Sequence, residues 1–253
     1  MSAALECRDV TVRFGAFTAI DGVSLAFAGE RLYSIIGPNG AGKTTLLNVL
    51  SGRLNAATGA VLLDEREITA LPAHVRARRG IGRSFQITKL FAGLTVFESL
   101  RLAGLARFFR FQPFWRPIGS YKQVGRAADA MLEVIGLGHR RDTIAEQLSH
   151  GDQRALEMGL SLMTEPRVLL LDEPLAGVGQ HEIERAVALI ERVRVGRTVV
   201  LIEHNMRAVM RLSDQVVVMV RGRVLASGAP SDIQGDRQVR AAYLGEPDAD
   251  AGT

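Results

Sequence analysis

The chain has 253 residues, 47% hydrophobic and 23% charged, with a formal net charge of +4. That length holds one large domain, or one domain with an inserted subdomain, around a sizeable core. The single cysteine, Cys7, excludes an internal disulfide and a cysteine-based metal cluster and suits a reducing cytosol.

The basic side is nearly all arginine; the lysines are Lys43, Lys89 and Lys122. The excess is small and spread along the chain, which reads as a solvated surface. The opening "MSAALECRDV" has no basic-then-apolar signal pattern, and no apolar run reaches the roughly 18 residues of a membrane span. Any role at a membrane is expected to go through a partner.

In chain order, "ALECRDVTVRF" and "GVSLAFA" read as strands joined by a turn region from Gly15 to Gly22. "RLYSIIG" is a short apolar strand ending in glycine, and "AGKTTLLNVLSG" is a helix stopped by Gly52. "AVLLD" and "GIGRSFQ" are further strands. From Thr95 to about Ser149 the texture is helical, with "TVFESLRLAGLARFF" and "GRAADAMLEVIGL" separated by the irregular "RFQPFWRPIGSY". A helix after Gly151 leads to the apolar strand "RVLLLDE". "HEIERAVALIERVRV" is an amphipathic helix, "RTVVLIEH" a buried strand and "NMRAVMRLS" a helix. "DQVVVMVRGRVLASG" is a hairpin around Arg221 and Gly222, and "PSDIQGDRQVRAAYLGE" a single weak helix. Apolar strands alternating with helices predict an α/β fold, a mostly parallel sheet covered on both faces. The helical block interrupts it as an insertion.

Three motifs carry chemistry. "GPNGAGKTT" is Gly37, Pro38, Asn39, Gly40, Ala41, Gly42, Lys43, Thr44 and Thr45. It fits G-x-x-x-x-G-K-[ST] between a strand and a helix, the context a phosphate loop requires. Its backbone N–H groups and the helix N-terminus suit phosphate oxygens. Lys43 would reach the β- and γ-phosphates and Thr44 would place its hydroxyl on Mg²⁺. In "VLLLDEP" four apolar residues bury a strand from whose end Asp172 and Glu173 emerge, as candidate Mg²⁺ anchor and general base. "TVVLIEH" ends in His204, a candidate γ-phosphate contact at a neighbouring strand tip.

With "LSHG" standing before "VLLLDEP", the order of motifs resembles the ATP-binding-cassette ATPases over about Leu5 to Glu246. The resemblance implies a P-loop NTPase core (1–89 and 150–253), an N-terminal antiparallel β subdomain and a helical subdomain inserted at about 90–149. It implies ATP and Mg²⁺ as ligands. Ser149 and Gly151, in the family's signature segment, would contact ATP held by a second ATPase subunit, identical or paralogous. Phe14 would stack on adenine. Gln86 would touch Mg²⁺ and the attacking water. His150, Asp152 and Gly179 depart from the usual glycine, glutamine and aspartate.

Finer stretches, among them "SFQITKLFAGLTVFESL" and "LIEHNMRAVMRLSDQ", resemble the subgroup for bacterial uptake of branched-chain amino acids, urea and amides. That implies membrane permease partners, a periplasmic binding protein acting indirectly, no nucleic acid, and a peripheral place on the cytoplasmic face of the inner membrane. "ITKLFAGLT" and the aromatic "ARFFRFQPFWRPIGSY" are candidate partner surfaces. A ribosome- or DNA-directed cassette protein is disfavoured by the single cassette and the lack of a heptad run. A P-loop kinase is disfavoured by the signature segment and Glu173.

Overall fold

The computed structural model describes residues 3–84, 93–108 and 121–244. Strands β1 (Ala3–Phe14) and β2 (Phe17–Ala28) pair antiparallel, with Phe14 opposite Phe17. The turn expected across Gly15 to Gly22 is only Gly15 and Ala16. Gly22 instead sits in a bulge of β2, where the register shifts between Val10↔Val23 and Val12↔Ile20 and Gly22 takes φ 62°. Two further strands, β4 (Thr58–Leu63) and β5 (Arg66–Glu67), complete a four-stranded antiparallel sheet in the order β2-β1-β4-β5.

The second sheet contains β3 (Leu32–Ile36), β6 (Ile81–Arg83), β7 (Val168–Asp172), β8 (Thr198–Ile202), β9 (Gln215–Val220) and β10 (Arg223–Gly228). Its order is β10-β9-β3-β8-β7-β6, parallel throughout except the β9–β10 hairpin. Both faces are covered, so the strands read as unbroken apolar runs. Val168, Leu170, Val200 and Ile202 join one core with the antiparallel sheet and helix α1 (Lys43–Ser51). Leu169, Leu171, Val199 and Leu201 join a second core. That second core is shared with α3 (Val96–Phe108), α4 (Lys122–Ile135), α5 (His150–Leu162) and α6 (Gln180–Val193). Helix α3 begins with a capping box: Glu98 accepts from the Thr95 N–H at 2.9 Å, and the Thr95 hydroxyl from the Glu98 N–H at 3.2 Å.

The short α2 (Ala73–Arg78) was not expected, and it corrects the reading of arginine as solvated charge. Arg76 on α2 is buried and donates to the carbonyls of Val49 and Leu50, the last turn of α1, and to those of Thr69 and Leu71. Burial draws its pKa down to about 10, so it stays charged at neutral pH. After α7 (Met206–Leu212) and the β9–β10 hairpin, the tail is two helices, α8 (Pro230–Gly235) and α9 (Arg237–Leu244). Asp236 divides them, its carboxylate accepting from the Gln238 and Val239 N–H groups at 2.7 and 3.2 Å. Gln86, most of "ITKLFAGLT" and most of the aromatic segment lie outside the described residues.

Candidate active site

The loop between β3 and α1 is shaped by close backbone approaches. A Cβ on Gly37 would sit 2.0 Å from the Met219 carbonyl oxygen, and one on Gly42 2.6 Å from that of Ala19. Gly42, at φ 96°, is the N-cap of α1 and offers no side-chain acceptor, so the first N–H groups of α1 have no capping side chain. Ala41 donates to the Pro38 carbonyl at 3.2 Å, and Asn39 and Gly40 are exposed at the tip. Lys43 lies back along this loop, its Nζ donating to the Gly37 and Pro38 carbonyls at 2.7 and 3.0 Å. Burial lowers its pKa, and the charges of Glu173 and Asp172 oppose that shift. Thr44 is exposed and Thr45 half-buried in the first turn of α1.

Asp172 ends β7, and Glu173 follows in a left-handed backbone conformation, φ 50°. That conformation is held by the Glu173 N–H on the Ile202 carbonyl at 2.9 Å and the Ala176 N–H on the Glu173 carbonyl at 3.0 Å. It turns the Glu173 carboxylate onto His204, with Oε1 2.8 Å from Nε2. A cavity of about 310 Å³ is bordered by Thr44, Asn48, Arg83, Asp172 and Glu173. The structure thus brings Lys43, Thr44, Asp172, Glu173 and His204 to one end of the parallel sheet, where open α/β sheets hold ligands.

Three functional candidates stand apart. Ser149 is the N-cap of α5, accepting from the Asp152 N–H at 3.2 Å. Gly151 lines a different cleft, of about 200 Å³, between α4, α5 and α6. There the Glu182 carboxylate lies 2.7 Å from where a Cβ on Gly151 would project, and the Ser149 hydroxyl reaches it at 3.5 Å. Phe14 is exposed at the hairpin tip, not in the core, and its cross-strand neighbour Phe17 is exposed too. Ala19, two residues on, lies against the start of α1.

Two residues of the site were missed in the sequence. Glu203 is buried and its carboxylate accepts three backbone N–H groups: Leu175 at 2.8 Å, His204 at 2.9 Å and Asn205 at 3.2 Å. It thereby ties the segment after Glu173 to the one carrying His204. Its only sequence signal was an acid ending an apolar run. The other is Arg83, buried at the end of β6 and paired with Asp172 at 3.0 Å.

Residues 20–176 match the ABC transporter family, and residues 223–249 match the branched-chain amino acid ATP-binding cassette transporter family. The chain is 40% identical over 252 residues to the high-affinity branched-chain amino acid transport ATP-binding protein BraF of Pseudomonas aeruginosa, covering 96% of this chain and 98% of that one. It is 39% identical over 251 residues to the corresponding protein LivG of Salmonella typhimurium, with the same 96% and 98% coverage. The solved ADP conformation of an ATP-binding cassette of an ABC transporter superposes with a TM-score of 0.84 at 30% identity, over 97% of this chain and 100% of that one. With a lysine-bearing loop and a Glu–His pair at one end of the parallel sheet, the chain, aligned with these proteins over nearly its whole length, belongs to the ABC transporter family as one of its ATP-binding, ATP-hydrolysing cassettes.

Proposed function

We propose that this chain is the ATP-hydrolysing subunit of a bacterial importer for branched-chain amino acids or related small polar solutes, such as urea and amides. The observation that carries the reading is the Glu173–His204 contact at 2.8 Å, set beside the lysine-bearing loop. The similarity to BraF and LivG supports the substrate class. The chain acts at the cytoplasmic face of the membrane, held by permease subunits that a periplasmic binding protein supplies. Among the described residues no helix is long and apolar enough to cross a membrane.

The donor set fits Mg²⁺: a carboxylate, Asp172, and an exposed hydroxyl, Thr44, border one cavity, and hard oxygen ligands suit this ion. Thr44 and Asp172, with Gln86, would hold it. Such an ion would supply neutralisation of phosphate charge. The loop N–H groups and Lys43 bind the β- and γ-phosphates, and Phe14 stacks on adenine. Glu173 takes the proton of the attacking water, and His204 orients Glu173 and the terminal phosphate. Ser149 and Gly151 of a second subunit complete the phosphate shell, so ATP closes the dimer and hydrolysis reopens it. The helical block at about 90–149 is the subdomain that carries this movement to the permease through Gln86.

Glu173→Gln is expected to bind ATP, accumulate closed dimer on size exclusion, and lose roughly 10²- to 10⁴-fold in phosphate release. Wild-type turnover in that variant would remove Glu173 from the role of base. Lys43→Ala is expected to lose ATP affinity instead.

A further inference from the structure

We infer that Arg83 is the positioning residue for the metal side of the site, one planar fork that fixes the Asp172 carboxylate against the Thr44 face of α1. The inference rests on the proposed roles of Asp172 and Thr44. One terminal nitrogen of Arg83 donates to Asn48 Oδ1 at 2.7 Å and to Ser51 Oγ at 2.9 Å. The other donates to Asp172 Oδ2 at 3.0 Å. Asn48 lies four residues after Thr44 and Ser51 seven, so the three share one face of α1. The guanidinium therefore spans the two elements that present the proposed metal ligands, and its planarity sets their separation.

The neighbouring backbone is fixed in the same way. Ser84 donates its N–H to the Leu170 carbonyl at 2.9 Å and accepts the Asp172 N–H on its hydroxyl at 3.3 Å. The Ser161 hydroxyl of α5 donates to the Arg83 carbonyl at 2.8 Å, which joins the signature helix to the same strand. A role in packing alone explains this poorly. The Arg83 Nε is buried with no hydrogen-bond partner among the described residues, a cost that an apolar side chain of similar length would avoid. What only an arginine supplies here is a charge and two rigid donors aimed at both elements. Groups that hold a metal ligand in place set metal affinity without touching the metal.

The test is ATP binding by isothermal titration calorimetry, in EDTA and across a series of Mg²⁺ concentrations, on the full chain. Arg83→Met is expected to leave ATP affinity in EDTA unchanged and to raise the Mg²⁺ concentration for half-maximal enhancement roughly ten- to hundredfold. Arg83→Lys, which keeps the charge and loses the fork, is expected to fall between and keeps the test open should Arg83→Met fail to fold. In an Asp172→Asn background, Arg83→Met is expected to add nothing to the Mg²⁺ requirement. An unchanged or lower Mg²⁺ requirement in Arg83→Met, or an equal loss of affinity in EDTA, would overturn the inference. An unchanged Mg²⁺ requirement in Asp172→Asn alone would instead overturn the reading of Asp172 on which it stands.

Discussion

Glu173 is a glutamate in left-handed backbone, a conformation that costs a non-glycine residue on the order of 1–3 kcal/mol. Surrounding hydrogen bonds hold it, and the result is a carboxylate aimed at His204. Glu203 supplies the other half of that restraint. Its two oxygens accept three N–H groups, whereas a glutamine has one acceptor oxygen. Glu203→Gln is therefore expected to strand at least one buried donor, costing about 1–3 kcal/mol, and to lower kcat by misplacing His204. Thermal melting and steady-state phosphate release together check this; a lower melting temperature with wild-type kcat would make Glu203 a stability residue only. The sequence hid such residues for a physical reason. Arg83 meets Asn48 and Asp172 across 35 and 89 residues of chain, separations over which no local pattern speaks. Lys43, Asp172 and His204 were legible because each sits in a motif whose strand-to-loop context is local.

Among the elements, α5 is where stability and proposed activity meet. Ser149 caps the helix by accepting the Asp152 N–H, so Ser149→Ala is expected to cost about 1 kcal/mol and a melting shift of roughly 2–4 °C. In the Glu173→Gln background the same change is expected to abolish ATP-dependent dimer on size exclusion. Ser149→Asn is expected to restore a capping acceptor and the melting temperature, while its larger side chain beside Glu182 is expected to keep the dimer from closing. Recovery of the dimer along with the melting temperature would reduce Ser149 to a cap. The central parallel strands were readable from apolar runs, since a strand buried on both faces is mostly apolar, whereas β5, two exposed charged residues, was not. The bulge at Gly22 and the break at Asp236 were not. The first is set by pairing with β1, and the second by an aspartate that serves equally well inside a polar tail or as a cap.

For the whole molecule, the buried thiol of Cys7 gives stability a pH dependence. Burial raises its pKa from 9.0 to about 12, so the folded state keeps the thiol protonated where the unfolded chain ionises it. Stability from this group is present in full below about pH 9 and falls as pH rises from there towards 12. Urea unfolding at about pH 7 and about pH 10.5 is expected to show a larger drop for the wild type than for Cys7→Ala, by on the order of 2 kcal/mol. Equal drops would show that Cys7 does not set the alkaline limit. The two-sheet architecture was half visible in the sequence. Its parallel part followed from apolar strands alternating with helices, whereas the strand order β10-β9-β3-β8-β7-β6 depends on crossovers that no single segment encodes.

Strand β7 pairs with β8 in one unbroken register, from Val168↔Thr198 to Asp172↔Ile202. Side chains alternate faces along a strand, so a slip of one residue would carry Glu173 into the place of Asp172 and turn every apolar partner to the wrong core. The proposed assignment of one carboxylate to the metal and the next to water thus depends on an alignment held by the apolar residues behind them. Leu169 and Leu171 facing one core, and Val168 and Leu170 the other, act as a key that fits in a single position. The proposed division of labour between the two carboxylates is thus set by leucines and valines buried in the two cores.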